Sequence, residues 1–151
     1  MKRQSGSSML LSLLQHFRKL NWDKALPGIS QAEYLVLSAV YWGHKKQPGH
    51  PGIYVSALAE SLMTSVSMVS KLLKALEEKN WILRTVDKNS RRNTFVSLTP
   101  EGKRMLMAAD EAMEQVNHTV AQELGEAKVH QLIEDISALL QSYENVLGSM
   151  E

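Results

Sequence analysis

The sequence predicts a mainly α fold carrying one small β-hairpin, with helical segments on both sides of it. Three observations carry that reading. Apolar residues recur at helical spacing through most of the chain. The period drops from 3.6 to 2 between Trp81 and Leu98. Turn-forming residues punctuate the chain at Pro27-Gly28, across Gly43 to Gly52, at Asn80 and at Gly125. With 151 residues, the chain is long enough for a compact domain and an oligomerisation element. Apolar residues make up 44% and charged residues 22%, an ordinary globular balance, and no repeat or low-complexity tract interrupts it.

A first helix is expected from Ser8 to Trp22, with Leu10, Leu13, Leu14, Phe17 and Leu20 at helical spacing. Its apolar stretch, Met9 to Leu14, is too short to span a bilayer, and no small-residue cleavage site follows it. Ser30-Gln-Ala-Glu33 is a capping box, in which the serine hydroxyl and the glutamate satisfy free backbone amides reciprocally. It opens a second helix through Trp42, with Leu35, Val36, Ala39 and Val40 inward. Gly43 to Gly52 reads as a polar loop and Ile53-Tyr-Val55 as a short strand. Ser56 is placed to cap a third helix, Ala57 to Leu62, and a fourth runs from Val66 to Lys79. Asn80 ends it, because asparagine tolerates the left-handed conformation.

Trp81 to Val86 and Thr94 to Leu98 read as two strands, rich in β-branched and aromatic residues, with a polar basic tip between them. Thr99-Pro100-Glu101 then starts a long helix: a capping hydroxyl, proline in the first turn and an acid at the positive end of the dipole. Gly125 interrupts this helix near Leu124. A last helix from Ala127 to Leu147 carries Val129, Leu132, Ile133, Ile136, Leu139, Leu140 and Tyr143 on one stripe.

The chain has no cysteine, which excludes disulfides, thiolate metal sites and a thiol redox switch. A reducing cytoplasm fits that composition. The formal charge of +1 hides an asymmetry. From Met1 to Arg104, sixteen Lys and Arg face seven acids, leaving +9; from Met105 to Glu151, one Lys faces nine acids, leaving −8. A basic body with an acidic remainder points to a polyanionic partner for the body alone.

Helix, helix, tight turn, helix and hairpin is the order of a winged helix-turn-helix, whose second turn-linked helix enters the DNA major groove. At about 100° per residue, Val66, Val69, Leu72, Leu73 and Leu76 fall on one side of the fourth helix. Ser67, Lys71 and Lys74 fall opposite, flanked by Thr64, Ser65, Met68 and Ser70. Small residues allow close approach, hydroxyls bond base edges or phosphates, lysines supply charge, and Met68 suits a thymine methyl. A solvated amphipathic face is the competing reading of this helix alone. The tip, Asp87-Lys-Asn-Ser-Arg-Arg-Asn93, weighs against it. Lys88, Arg91 and Arg92 sit there with no apolar residue to bury, and arginine gains in a narrow minor groove. Asp87 is placed to pair with one arginine and aim the other.

On these residues the chain resembles the MarR family, the multiple antibiotic resistance regulators. The resemblance rests on Leu58-Ala-Glu-Ser-Leu62, Ser67-Met-Val-Ser-Lys-Leu-Leu73, Leu76-Glu-Glu-Lys-Asn-Trp-Ile-Leu-Arg84, the tip from Asp87 to Arg92, and Val96-Ser-Leu-Thr-Pro-Glu-Gly102. It implies a homodimer of intertwined terminal helices, built from dimerisation segments 1–29 and 104–151 around a DNA-binding domain, 30–103. It implies a base-reading and backbone-contacting role for Ser67, Met68, Ser70 and Lys71, with Thr64, Ser65 and Lys74 beside them. It implies a wing role for Asp87 and either Arg91 or Arg92, with Lys88, Asn89 and Ser90 completing the tip. A small aromatic or phenolic effector between the two parts is also implied, and Trp22, Tyr34 and Trp42 are its candidate lining or else core. Asn80 stands where the family usually has glycine, three residues separate Asp87 from the arginines, and the Gly43 to Gly52 loop is long.

Other readings have less behind them. His44 and His50 lie six apart on a loop, His118 and His130 lie on different helices, and none has the i, i+4 spacing of a zinc pair. A metal-responsive regulator of the same fold therefore stands as an alternative, and no cofactor is expected. No phosphate-cradling glycine loop or nucleophile elbow is present, so no enzyme is expected. Met105, Met107 and Met113 read as packing. A winged-helix module that binds protein instead of DNA would not need the cationic face.

Overall fold

The computed structural model describes residues 6–90 and 93–150. Its elements are α1 (Gly6–Arg18), a 3₁₀ turn (Trp22–Lys24), α2 (Gln31–Lys46), β1 (Ile53–Tyr54), α3 (Val55–Ser61), α4 (Val66–Glu78), β2 (Ile82–Val86), β3 (Thr94–Leu98), α5 (Pro100–Leu124) and α6 (Glu126–Gly148). They divide into two compact units, Met1–Asp110 and Glu111–Glu151.

The first unit is built on α2, α3 and α4 packed against the sheet. Val36, Leu37 and Val40 of α2, Leu58 of α3, Val69, Leu73 and Leu76 of α4, and Ile82 and Val96 of the strands are buried together with Leu106 and Ala109 of α5. The capping box at Ser30 forms as its residues dictate: the Ser30 hydroxyl accepts from the Glu33 amide, and the Glu33 carboxylate accepts from the Ser30 amide. Lys79 reaches back from the end of α4 to the same carboxylate at 2.6 Å, tying α4 to the start of α2. The sheet is antiparallel in the order β1-β3-β2, with Ile53 opposite Val96, Tyr54 opposite Phe95, and Ile82 to Val86 paired against Leu98 to Thr94. At its base, the Trp81 carbonyl accepts from the Thr99 amide at 3.1 Å and lies so close to Gly102 that a Cβ there would fall 1.9 Å from the carbonyl oxygen. Only glycine lets α5 start against the strand in this way.

Several local expectations are corrected. The first helix ends at Arg18, and Trp22 begins a separate 3₁₀ turn. Helix α2 continues through Lys46, absorbing the first residues assigned to the loop. Gly43 does not break it; the residue lies where a Cβ would meet the Ile53 side chain at 2.5 Å. Leu35 is exposed while Leu37 is fully buried, so the inward stripe of α2 is rotated from the expected one. Val66 is likewise half exposed, because it opens α4 before the helix meets the core. Tyr54, making no side-chain capping bond, occupies the cap position of α3, and Ser56 lies inside that helix. The short strand expected at Ile53-Tyr-Val55 does form, as β1, and joins the hairpin as a third strand.

The second unit comprises the end of α5 and all of α6. Gly125 separates the helices at φ +95°, a region suited to glycine. None of the α6 residues is buried, and Leu132, Ile133, Ile136, Leu139, Leu140 and Tyr143 are all exposed.

Candidate nucleic-acid interface

The chain between α3 and α4 turns through Met63, at φ +48°. Ser65 then adopts an extended conformation, and its hydroxyl oxygen accepts the Met68 amide at 3.2 Å, so this serine caps α4. Burial of Val69, Leu73 and Leu76 fixes the rotation of the helix and turns the opposite face outward. Ser67, Met68, Lys71 and Lys74 are exposed on that face, Ser70 is half buried, and Thr64 is exposed just before the cap. No acidic residue lies in the first turn of α4.

Strand β2 is tied to the far end of α4 by Arg84, whose Nε donates to Glu77 at 2.9 Å. At the other end of β2, Asp87 closes the turn. Its amide donates to the Asn93 carbonyl at 2.9 Å, and the Asn93 amide donates to the Ser90 carbonyl at 2.9 Å. One carboxylate oxygen accepts the Asn89 amide at 2.9 Å, and the other accepts the Tyr54 hydroxyl at 3.0 Å. The Tyr54 ring stacks on Phe95, with centroids 4.2 Å apart and planes at 25°. The hydrogen bond to Asp87, with burial and the nearby negative charge adding to it, raises the Tyr54 pKa above its ordinary value. Lys88 and Asn89 are exposed and Ser90 is half buried. Arg91 and Arg92, the expected inserting residues, lie outside the described residues, and so does any pairing of theirs with Asp87. Recognition helix and wing face one another across a cleft of about 260 Å³. Val66 and Ser70 line one side of it, and Arg84, Asn93 and Thr94 the other.

The structure thus brings Ser70 of α4 and the foot of the wing to one cleft, while Ser65 serves the helix itself. Sequence reasoning missed Tyr54 and the Arg84–Glu77 pair. A tyrosine ending a two-residue strand and an arginine inside a strand were the available signals.

The aromatic trio does not form one site. Trp42 lines a cleft of about 330 Å³ with Ile53, Tyr54 and Ala57, and neither Trp22 nor Tyr34 borders it. None of the three is core either: Trp22 is half buried edge-on to Phe17, and Trp42 is 55% exposed. The Tyr34 hydroxyl donates to Asp110 at 2.8 Å, and burial together with that carboxylate pushes its pKa up to about 12. Among the described residues, no three His, Cys, Asp or Glu side chains cluster as a metal site, and no helix is long and apolar enough to cross a membrane. The His44 ring nitrogen instead bonds the His50 carbonyl at 2.8 Å.

The packed α3–turn–α4 unit, followed by a three-stranded sheet with a projecting hairpin, defines a winged helix-turn-helix protein. Residues 49–94 match the family model described as MarR family. The transcriptional regulator HosA of Escherichia coli is 30% identical over 88 residues, 58% of this chain. That segment spans 60% of the HosA length. The crystal structure of the S. aureus MepR–DNA complex superposes with TM-score 0.72 at 24% identity, covering 92% of this chain and 99% of that one. A MepR mutant bound to an oligodeoxyribonucleotide is 25% identical at TM-score 0.57, with the same shares covered. PcaV of Streptomyces coelicolor, solved with its natural ligand, shares the fold at 19% identity and TM-score 0.66, covering 91% of this chain and 97% of that one.

Proposed function

We propose that this protein is a transcription regulator that binds duplex DNA sequence-specifically as a homodimer on a pseudo-palindromic operator. The observation that carries the reading is the face of α4. A buried Val69–Leu73–Leu76 stripe holds Ser67, Met68, Lys71 and Lys74 outward beside the wing. This face is small, hydroxylated and cationic, as major-groove entry requires. The kinship with HosA and the oligodeoxyribonucleotide-bound MepR mutant supports it. Thr64, Ser70, Asp87, Lys88, Asn89, Ser90, Arg91 and Arg92 belong to the same surface in this reading, with a wing arginine in the minor groove.

Dimerisation is the use we assign to segments 1–29 and 104–151. Leu13 and Phe17 of α1 and the stripe of α6 leave rows of large apolar side chains in solvent, as an interaction surface does. A two-fold dimer sets two recognition helices about one DNA turn apart. Repression, relieved by a small aromatic or phenolic effector that changes the spacing of the two lobes, is the mode we favour.

Fluorescence anisotropy with a duplex from upstream of the protein's own gene tests this. Operator should bind roughly 10³-fold or more tighter than scrambled duplex. Equal affinity for both duplexes would remove sequence recognition, and no binding to either would remove DNA binding altogether.

A further inference from the structure

The foot of the wing is held by a contact between residues 33 positions apart, which the sequence does not reveal. Tyr54 sits at the junction of β1 and α3, and its hydroxyl donates to Asp87, the first residue of the tip. Stacking of its ring on Phe95 fixes where the hydroxyl points, because Tyr54 and Phe95 are also cross-strand partners. Between the foot of the wing and the start of α4 lies the 260 Å³ cleft, so among the described residues side-chain packing does not close that gap. Among the described residues, two polar ties anchor the hairpin to the helices around it. Arg84 to Glu77 joins the middle of β2 to the end of α4, and Tyr54 to Asp87 joins the top of β2 to the start of α3. Among the described residues, only the second acts at the level of the tip. It also fixes the Asp87 carboxylate that accepts the Asn89 amide, and so the first turn of the tip.

We propose that Tyr54 is a positioning residue for the wing, latching Asp87 so that the tip keeps one orientation relative to α4 when the protein meets DNA. This rests on the DNA-binding reading above. Without the latch, the tip samples several orientations, only a fraction of which place its cations on the duplex. The apparent affinity falls by that fraction. Removing the hydroxyl changes no charge, so any change in the salt dependence of binding must come from where the remaining charges lie.

The test compares the full-length parent, Tyr54→Phe, the double variant Arg91→Ala/Arg92→Ala, and the triple variant combining them. Operator binding is measured across a salt series, and thermal unfolding is followed by circular dichroism. Tyr54→Phe keeps the ring stack, so it should fold normally. It should bind about 3- to 10-fold more weakly, with a shallower slope of log affinity against log salt. In the wing-less background it should cost nothing further, because the latch acts only through the wing. A parent that binds no operator sinks the DNA reading itself. With a binding parent, three results overturn the latch: unchanged affinity in Tyr54→Phe, a loss with the parental salt slope, or an equal loss in the wing-less background.

Discussion

At Glu33, one carboxylate accepts from the Ser30 amide at 3.0 Å, from the Ser30 hydroxyl at 3.1 Å and from Lys79 at 2.6 Å. Burial pushes its pKa up, but the Lys79 bond, the Ser30 amide and the lysine charge together outweigh burial and hold the carboxyl below its usual value of 4.5. A folded pKa below the unfolded one means that the stabilisation is complete above the unfolded value and is lost as pH falls through the folded value. Glu33→Gln should therefore cost about 1 kcal/mol at pH 7, a modest figure because Lys79 is partly solvated, and the deficit should shrink as pH falls below the ordinary value of 4.5 and through the lowered folded one. Urea midpoints of parent and variant at pH 7 and pH 3 measure it; a deficit independent of pH would show that the charge is not the cause. On α4, Ser65 and Ser67 separate two effects. Ser65→Ala removes a cap and should lower stability by about 1 kcal/mol. Ser67→Ala should leave stability within about 0.5 kcal/mol and relax operator preference at one position if its hydroxyl reaches a base edge. Denaturation and binding to single-base operator variants score both.

The elements differ in how openly the sequence announced them. Ser30–Glu33 and Thr99-Pro100-Glu101 were legible because a cap is built from neighbours, and the Thr99 hydroxyl does accept the Gly102 amide at 2.9 Å. Asn80 was legible for the same reason and stands at φ +58°. The end of α2 was not, because Gly43 reads locally as a breaker, whereas Ile53 requires the missing Cβ there. The short strand at Ile53-Tyr54 was expected, but its pairing with β3 and the Tyr54–Asp87 bond depend on partners more than thirty residues away, which no periodicity encodes. In α2 a phase error of one residue exchanged Leu35 for Leu37. The outward face of α4 was legible except at Val66, because its stripe is long enough to fix the phase. Gly102→Ala tests the α5–strand junction: backbone cannot yield as a side chain can, so the loss should be about 3 kcal/mol or more, read by thermal melting. The two elements proposed to face DNA should also fail differently. Loss of the inserting wing arginine should weaken binding about 10- to 100-fold, leaving most sequence preference intact, whereas Lys71→Ala should either relax one operator position or weaken all sequences alike.

At the scale of the whole molecule, the unburied α6 stripe makes oligomeric state the deciding measurement. The chain should run as a dimer by light scattering at micromolar concentration, and Ile136→Glu, placing a charge within that stripe, should shift it towards monomer. A parent that is monomeric would end the two-fold account of operator binding. The folded body of the first unit has a mechanical property of its own. Trp81 and Gly102 meet without room for one added carbon, so the first turn of α5 and the root of β2 form a pivot with no play. From that pivot β2 extends five residues, an arm of about 17 Å at roughly 3.4 Å per residue. A rotation of about 5° imposed on the start of α5 would sweep the tip end of that arm through about 1.5 Å. That is half the length of a hydrogen bond, delivered by a displacement too small to notice at its source.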